Sequence, residues 1–201
     1  MQIKKLTAKN FYSFKELDVD FSNFKGITRI LGRNKDSGGS NGAGKSALFE
    51  AVTWGIYGST IRKSTEVALV NSQAGKDCFV CVEIEKKGVG TIVITRSKRP
   101  TFLNVEVNGV LINKGNTTQT QEAIEELLET DHKSFLASVV FGQHSTFTFL
   151  DATPEDKRKI IKNCFNLDEI FSKRASVKEL KSSYQGELKV ISALMTNLVE
   201  E

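Results

Sequence analysis

A glycine-rich segment followed directly by a helical pattern is the feature that most constrains what this chain of 201 residues can fold into. The segment GSNGAGKS at 39–46 fits the pattern G-x-x-x-x-G-K-[ST], and the apolar residues of GKSALFEAVTWGIYG then recur at helical spacing. Glycines let the backbone approach a phosphate group closely, and the positive end of a helix dipole attracts it. The segment therefore predicts a phosphate-binding loop between a strand, GITRILG at 26–32, and a helix that ends near Gly58.

The polar side chains of this loop have expected tasks. Lys45 is expected to reach the β- and γ-phosphate oxygens of a nucleoside triphosphate, and Ser46 to bind its Mg²⁺. The backbone N–H groups of the loop would surround the phosphates. The predicted nucleotide-binding residues of the loop are Asn41, Gly42, Ala43, Gly44, Lys45, Ser46 and Ala47.

A second glycine cluster, SGGS at 37–40, overlaps the start of this segment. It is similar to the centre of the ABC-type signature motif. That motif, however, stands at the N-terminus of a separate helix, and there is no room for such a helix directly before the phosphate loop. Two similar openings, GRN at 32–34 and GSN at 39–41, stand seven residues apart. We interpret residues 33–39 as an insertion between strand and loop, and we expect the second opening to bind the phosphates.

The remaining patterns predict an α/β fold. Two more strands are expected in IKKLTAKNFYSF and KELDVDF, and further strands at 78–107 are joined by hairpin turns. Helices are predicted in TQEAIEELLET, in HKSFLASVVF ahead of a strand, and in DATPEDKRKIIKNCF, where Thr153 is the expected N-cap before Pro154. Cys78 and Cys81 lie on one predicted strand with their side chains on opposite faces, which argues against a zinc site.

Apolar residues at heptad spacing mark the C-terminal segment, and Glu187 is the one break in the series. The pattern predicts a coiled coil that starts at 176–201, after a first domain at 1–175. The alternative is an amphipathic helix packed against that domain. The residues at the a- and d-like positions are Val177, Leu180, Tyr184, Ile191, Leu194 and Leu198.

Composition adds mild constraints. Charged residues make up 26% of the chain and hydrophobic residues 39%, as in soluble globular proteins, and the net charge is +4. No segment reads as a signal peptide or as a membrane span of roughly 18 apolar residues. We therefore expect an intracellular, cytoplasmic protein (in the host cytoplasm if it is viral) that has no membrane partner.

Several segments, in a fixed order, resemble the N-terminal half of SMC-like DNA-repair ATPases. The nearest type is SbcC with its viral counterparts, the large subunits of recombination endonucleases. The resemblance covers most of residues 1–175 and implies an ABC-type P-loop ATPase N-terminal lobe, with mixed β-sheets around the helix of the phosphate loop, that binds ATP and Mg²⁺. The segments are KNFYSF, GSNGAGKSALFEAVTWGIYG, VITRSKR, VVFGQ and TPEDKRKIIKNCFNLDE.

The same resemblance implies roles for single residues. Gln143 matches the glutamine of the family's Q-loop, which contacts Mg²⁺ and the attacking water, so that Lys45 and Gln143 would be the catalytic residues. Ser13 falls where the family's backbone touches the nucleotide. Asn41 matches the asparagine that senses the γ-phosphate, although the insertion leaves open whether Asn34 takes that role instead.

The resemblance also exposes an absence. ATPases of this kind need four apolar residues followed by Asp-Glu, and a signature motif, both in a C-terminal half beyond the coiled coil. The nearest segment here, TFTFLDA at 146–152, is interrupted by Thr148 and has no glutamate after Asp151. We therefore expect half of an active site and negligible ATPase activity from this chain alone. The implied partners are the C-terminal half of the same ATPase, an SbcD-type nuclease subunit and a second copy in an ATP-dependent homodimer.

Two basic clusters, RSKR at 96–99 and KRKIIK at 157–162, are candidates for sequence-independent contacts with DNA phosphates; the alternative is a solvated charged surface. By a looser match, Arg62 lies near a DNA-contacting or finger arginine of SMC proteins.

The leading hypothesis is an ATP-driven subunit that binds DNA and controls a partner nuclease in double-strand-break repair and recombination. Three alternatives keep the phosphate loop. They are an SMC-type chromosome-organising ATPase, a RecF-like DNA-repair ATPase without a nuclease partner, and a non-enzymatic nucleotide-gated adaptor.

Overall fold

A computed structural model describes residues 1–34, 38–62, 66–140, 149–150, 152–165 and 167–199. Within these ranges the strands form one six-stranded antiparallel sheet in the order β2-β1-β3-β4-β5-β6. The strands are β1 (Gln2–Phe11), β2 (Phe14–Asp20), β3 (Cys78–Lys86), β4 (Gly90–Lys98), β5 (Phe102–Val107) and β6 (Val110–Leu111). The helices are α1 (Lys45–Tyr57), α2 (Glu66–Leu69), α3 (Thr117–Leu128), α4 (His132–Ser138), α5 (Pro154–Cys164) and α6 (Asp168–Val199). The predicted α/β lobe built around the helix of the phosphate loop is confirmed.

The core lies between the sheet and α1. Every second residue of β3 is buried, as expected of a strand with one covered face. At Gly55, a Cβ atom would lie 2.6 Å from Cγ2 of Val82 and 2.9 Å from Cγ1 of Val80. Glycine therefore allows α1 to lie closer to the sheet than a helix with a side chain at that position could.

The two cysteines of β3 alternate as predicted. Cys78 is buried, whereas Cys81 is half-buried and its Sγ lies 3.5 Å from Oγ1 of Thr95 on β4. Burial raises the pKa of the Cys78 thiol to about 11. Among the described residues, no group of three histidine, cysteine or acidic side chains could hold a metal ion.

The strand predicted at 26–32 is wrong: this segment forms no strand in the structure. Ile27 is fully exposed, and Leu31 is 74% exposed. A strand forms only where a neighbour pairs with its N–H and C=O groups, and no strand of the described ranges pairs with this segment. The strand expected after α4 is also not formed at Val139 and Val140, and its remainder at 141–148 lies outside the described residues.

Side-chain caps define the starts of three helices. Asn116 caps α3, Asp131 caps α4, and Thr153 caps α5 by accepting a hydrogen bond from the backbone N–H of Asp156 at 3.2 Å. The predicted N-cap of α5 is therefore confirmed, with Pro154 in the first turn and acidic residues near the positive end of the helix.

The last helix, α6, begins at Asp168, ahead of the heptad pattern, and runs for 32 residues. Val177, Leu180, Tyr184 and Ile191 are all more than half exposed. These side chains therefore do not pack against the first domain, as the alternative required. No helix within the described ranges is both long and apolar enough to span a membrane.

We predict that Gly55→Val destabilises the fold by about 1–3 kcal/mol, because the added methyl groups have no space against Val80 and Val82. The matched control is Gly186→Val in α6, where a Cβ atom meets nothing within 4 Å. This control should change the free energy of unfolding by less than about 0.5 kcal/mol. Urea denaturation of both variants measures the difference, and equal effects would contradict the close helix–sheet contact.

Candidate nucleotide-binding site

The start of α1 is open to an anion. Its N-cap residue, Gly44, has a φ of 83°, and no side chain caps the first N–H groups of the helix. The first turn of α1 contains no acidic residue. Because unpaired N–H groups and the helix dipole both favour negative charge, this helix start has the chemistry that a phosphate requires.

The turn between β1 and β2 lies directly against this helix start. A Cβ atom at Gly44 would lie 2.8 Å from Cζ of Phe14 and 3.6 Å from Oγ of Ser13. Ser13 was assigned to the site only by resemblance, and the structure places it beside Gly44. The loop is therefore held between this turn and the helix that follows it.

The ammonium group of Lys45 turns back onto the loop. It donates hydrogen bonds to the carbonyl oxygen of Ser40 and, at 2.6 Å, to Oγ of Ser40. Two oxygen atoms thus surround the amine that the motif assigns to phosphate oxygens. Sequence reasoning did not single out Ser40, although its position inside the glycine-rich segment made a contact with Lys45 possible.

Gly42, Gly44 and Ser46 have the backbone conformation or the exposure that a Mg²⁺-bound triphosphate would require. Gly42 has a φ of 72°, so that both it and Gly44 adopt a left-handed conformation that favours glycine. Ser46 is exposed in the first turn of α1, where its hydroxyl could serve as a ligand of Mg²⁺. The other assigned metal ligand, Gln143, lies outside the described residues, as does the adjacent His144.

A cleft of about 510 Å³ continues from the helix start. Glu50 of α1 lies at this cleft with only 3% of its surface exposed. Its Oε2 atom accepts a hydrogen bond from the N–H of Ile61 at 2.7 Å, and its Oε1 atom lies 3.6 Å from Nε of Arg62. Residues that line the cleft include Tyr12, Ser13, Ser46, Ala47, Glu50 and Arg62.

Glu50 links this cleft to the segment after α1. Burial raises the pKa of its carboxyl group, and the hydrogen bond from Ile61 and the charge of Arg62 oppose that effect only in part. Sequence reasoning missed Glu50. Helical spacing offered no signal for it, because Glu50 lies on the side of α1 nearly opposite to Leu48 and Val52.

The basic cluster at 96–99 does not form a continuous DNA-binding face. Arg96 points towards the helix layer, where it donates hydrogen bonds to the carbonyl oxygens of Gly55 at 3.3 Å and Ile56 at 3.2 Å, and to Oε1 of Gln121. Burial lowers its pKa to about 10. The interpretation of Arg96 as a phosphate contact is therefore wrong, because the guanidinium group satisfies the last carbonyl groups of α1.

The cluster at 157–162 is partly engaged as well. Nζ of Lys159 lies 2.6 Å from Oδ2 of Asp131, the N-cap of α4, and Nζ of Lys162 lies 6.0 Å from the ring centre of Phe171. Arg158 is exposed on α5. This cluster thus retains exposed positive charge, and one of its lysines joins α5 to α4.

Comparison with known proteins places this chain in a family. A family model described as an AAA domain matches residues 5–201, and the chain belongs to that family. It is similar to a "DNA double-strand break repair Rad50 ATPase" of Methanococcus maripaludis, with 26% identity over 199 residues that cover 98% of this chain and 19% of that protein. It is also similar to "Exonuclease subunit 2" of Enterobacteria phage T4, with 29% identity over 128 residues that cover 62% of this chain and 22% of that protein. The resemblance to SMC-like ATPases of the SbcC type is confirmed.

The chain spans about a fifth of the length of these relatives. Among solved structures, it is similar to the recombination mediator protein RecF with ATP, with a TM-score of 0.49 and 18% identity over 83% of this chain and 38% of that one. It is also similar to the SMC head domain from Thermotoga maritima, with a TM-score of 0.39 and 24% identity over 63% of this chain and 42% of that one.

We predict that Glu50→Gln changes how stability depends on pH. The folded state raises the pKa of Glu50 above its ordinary value of 4.5. Its contribution to stability is therefore fully present below that value and is lost as pH rises through the folded pKa. Glutamine can still accept the hydrogen bond from Ile61 but carries no buried charge. The variant should therefore gain stability relative to the wild type as pH rises above 4.5 and through the folded pKa of Glu50.

Denaturant unfolding at several pH values measures this effect. The matched control is Glu122→Gln, since Glu122 is exposed on α3. A constant difference between Glu50→Gln and the wild type across this pH range would show that Glu50 is not destabilised by burial.

Proposed function

We propose that this chain is the ATP-binding N-terminal half of an SMC-like ATPase head that binds DNA and controls a partner nuclease in double-strand-break repair and recombination. The observation that carries the proposal is the loop at 39–46, which leads into a helix start that no side chain caps. Membership in the AAA domain family and the similarity to Rad50 ATPases and to phage exonuclease subunit 2 support it.

The residues of this chain would bind and orient the triphosphate. Backbone N–H groups at Gly42, Ala43 and Gly44 would face phosphate oxygens, and Lys45 would leave Ser40 to contact them. Ser46, with Gln143, would hold Mg²⁺, which neutralises charge that develops on the phosphates during transfer. Ser13 and Ala47, at the adjoining cleft, would contact the nucleotide beyond its phosphates.

The catalytic site would be completed by the C-terminal half of the same ATPase. The segment at 26–32 has a strand-like sequence and exposes Ile27 and Leu31, and such a segment can be covered by a strand from another part of the protein. The water-activating glutamate and the signature motif would come from that half. This chain would accordingly bind ATP without turning it over.

We propose two further partners, which are a nuclease subunit of the SbcD type and a second ATPase head. The similarity to the phage protein, an exonuclease subunit, supports the first. The exposed apolar residues of α6 support its role as one strand of a coiled coil, because a helix with such a stripe is stabilised by a partner helix. A long α6 favours this architecture over a RecF-like ATPase. We propose that the assembly acts in the cytoplasm.

Binding of Mg·ATP by the purified chain tests the nucleotide site. Lys45→Ala should weaken binding at least about tenfold, because a charged hydrogen-bond donor to phosphate is lost. Lys87→Ala, in the exposed turn between β3 and β4, is the control and should bind normally. Calorimetry measures both affinities. Absence of binding by the folded wild-type chain would overturn the proposal, and robust ATP turnover that Lys45→Ala abolishes would refute the half-site.

DNA binding should be independent of sequence and should weaken with salt. Each phosphate contact contributes about −0.9 to the slope of log affinity against log salt. Arg158→Ala should therefore reduce the magnitude of the slope by about 0.9, whereas Lys87→Ala should leave it unchanged. Fluorescence anisotropy with a duplex at several salt concentrations measures the slopes. Affinity that does not depend on salt would contradict phosphate contact by this surface.

A further inference from the structure

The phosphate-binding loop contains two candidate openings, and the structure distinguishes them. At Gly32, a Cβ atom would lie 2.6 Å from Cβ of Ala43 and 3.1 Å from Cγ of Lys45. Gly32, the first residue of the first opening, is therefore packed against Ala43 and Lys45 of the loop. There is no space for a side chain at this position, which is the requirement that the first glycine of such a loop has to meet.

Asn34, in the first opening, forms two backbone hydrogen bonds with residues at or just before the start of the second. Its backbone N–H donates to the carbonyl oxygen of Gly39 at 2.8 Å, and its own carbonyl oxygen accepts from the N–H of Gly38 at 2.9 Å. Gly38 and Gly39 therefore lie next to Asn34. The carboxamide of Asn34 faces Gly42, where a Cβ atom would lie 3.3 Å from Nδ2 of Asn34. Asn34 and Gly42 are neighbours in space although the sequence separates them.

The same carboxamide holds one peptide group of the loop. Nδ2 of Asn34 donates a hydrogen bond to the backbone carbonyl oxygen of Asn41 at 3.2 Å. In a trans peptide the C=O and N–H bonds point in opposite directions. Fixing the carbonyl of Asn41 therefore also fixes the direction of the N–H of Gly42, one of the predicted phosphate donors. The side chain of Asn41 is not needed for this contact, and Asn41 itself is exposed.

We propose that the phosphate-binding loop is assembled from Gly32–Asn34 and Gly42–Ser46, that residues 35–41 are an insertion within it, and that Asn34 is the positioning residue for the N–H of Gly42. Joined directly, the two parts read GRNGAGKS and satisfy G-x-x-x-x-G-K-[ST]. The sequence-based interpretation differs in placing the insertion at 33–39, and it matched Asn41 to the asparagine role while leaving Asn34 open as the alternative. The inference rests on the nucleotide-binding function proposed above.

Two point variants and one deletion test the inference in the purified chain. Asn34→Ala should weaken binding of Mg·ATP about tenfold, because the N–H of Gly42 is no longer held in place. Asn41→Ala keeps the backbone carbonyl that Asn34 contacts and should bind within about twofold of the wild type. Deletion of residues 35–41 should leave binding within about threefold, since every residue of the assembled loop remains and Asn34 then directly precedes Gly42.

A readout without nucleotide separates this inference from the function that it rests on. In glycine-labelled protein, Asn34→Ala should shift the amide resonance of Gly42, and Lys87→Ala, in a distant exposed turn, should leave it unchanged. A loss of affinity in Asn41→Ala with none in Asn34→Ala, or a folded deletion variant that no longer binds, would overturn the assembled loop. If the wild type binds no Mg·ATP but the Gly42 resonance responds as expected, the nucleotide-binding proposal fails while the contact from Asn34 stands.

Discussion

The close packing of α1 on the sheet is the contact on which the rest of this lobe depends. Gly55 removes the side chain that would otherwise separate the helix from Val80 and Val82. The ring of Trp54, on the same helix, lies 5.5 Å from that of Phe11 on β1. Because a helix transmits position along its length, this buried contact also sets the location of Gly44 and the residues that follow it. The core therefore places the end of the loop at which α1 begins.

The two ends of α1 differ in whether a side chain pairs with their free backbone groups. At its C-terminal end, Arg96 donates to the carbonyl oxygens of Gly55 and Ile56, so a buried cation offsets the negative end of the dipole. At its N-terminal end no side chain caps the N–H groups. A helix whose negative end is neutralised and whose positive end is open offers an electrostatic environment suited to an anion. The arrangement also explains why the guanidinium group of Arg96, which is half-buried, is directed towards α1.

The sequence predicted those elements whose signals are local. The helix after the phosphate loop, the hairpins of β3 to β5 and the cap at Thr153 each depend on neighbouring residues, and each was predicted correctly. The prediction of a strand at 26–32 was wrong, because alternating apolar residues do not show whether a neighbouring strand is present to pair with the segment. Arg96 and Glu50 were misread or missed since long-range packing decides whether their charges face solvent. The contact from Asn34 to Asn41 could not be read from spacing, which allows either asparagine to lie beside Gly42.

The length of α6 has a mechanical consequence. At 1.5 Å per residue, a helix of 32 residues extends about 48 Å from the end of α5. Its base is tied to α5 by backbone hydrogen bonds from Leu167 to Lys162 and from Phe171 to Leu167. A tilt of about 5° at this base would carry the far end through about 4 Å, so that α6 acts as a lever. Small rearrangements close to the lobe would in this way become large displacements at a distance.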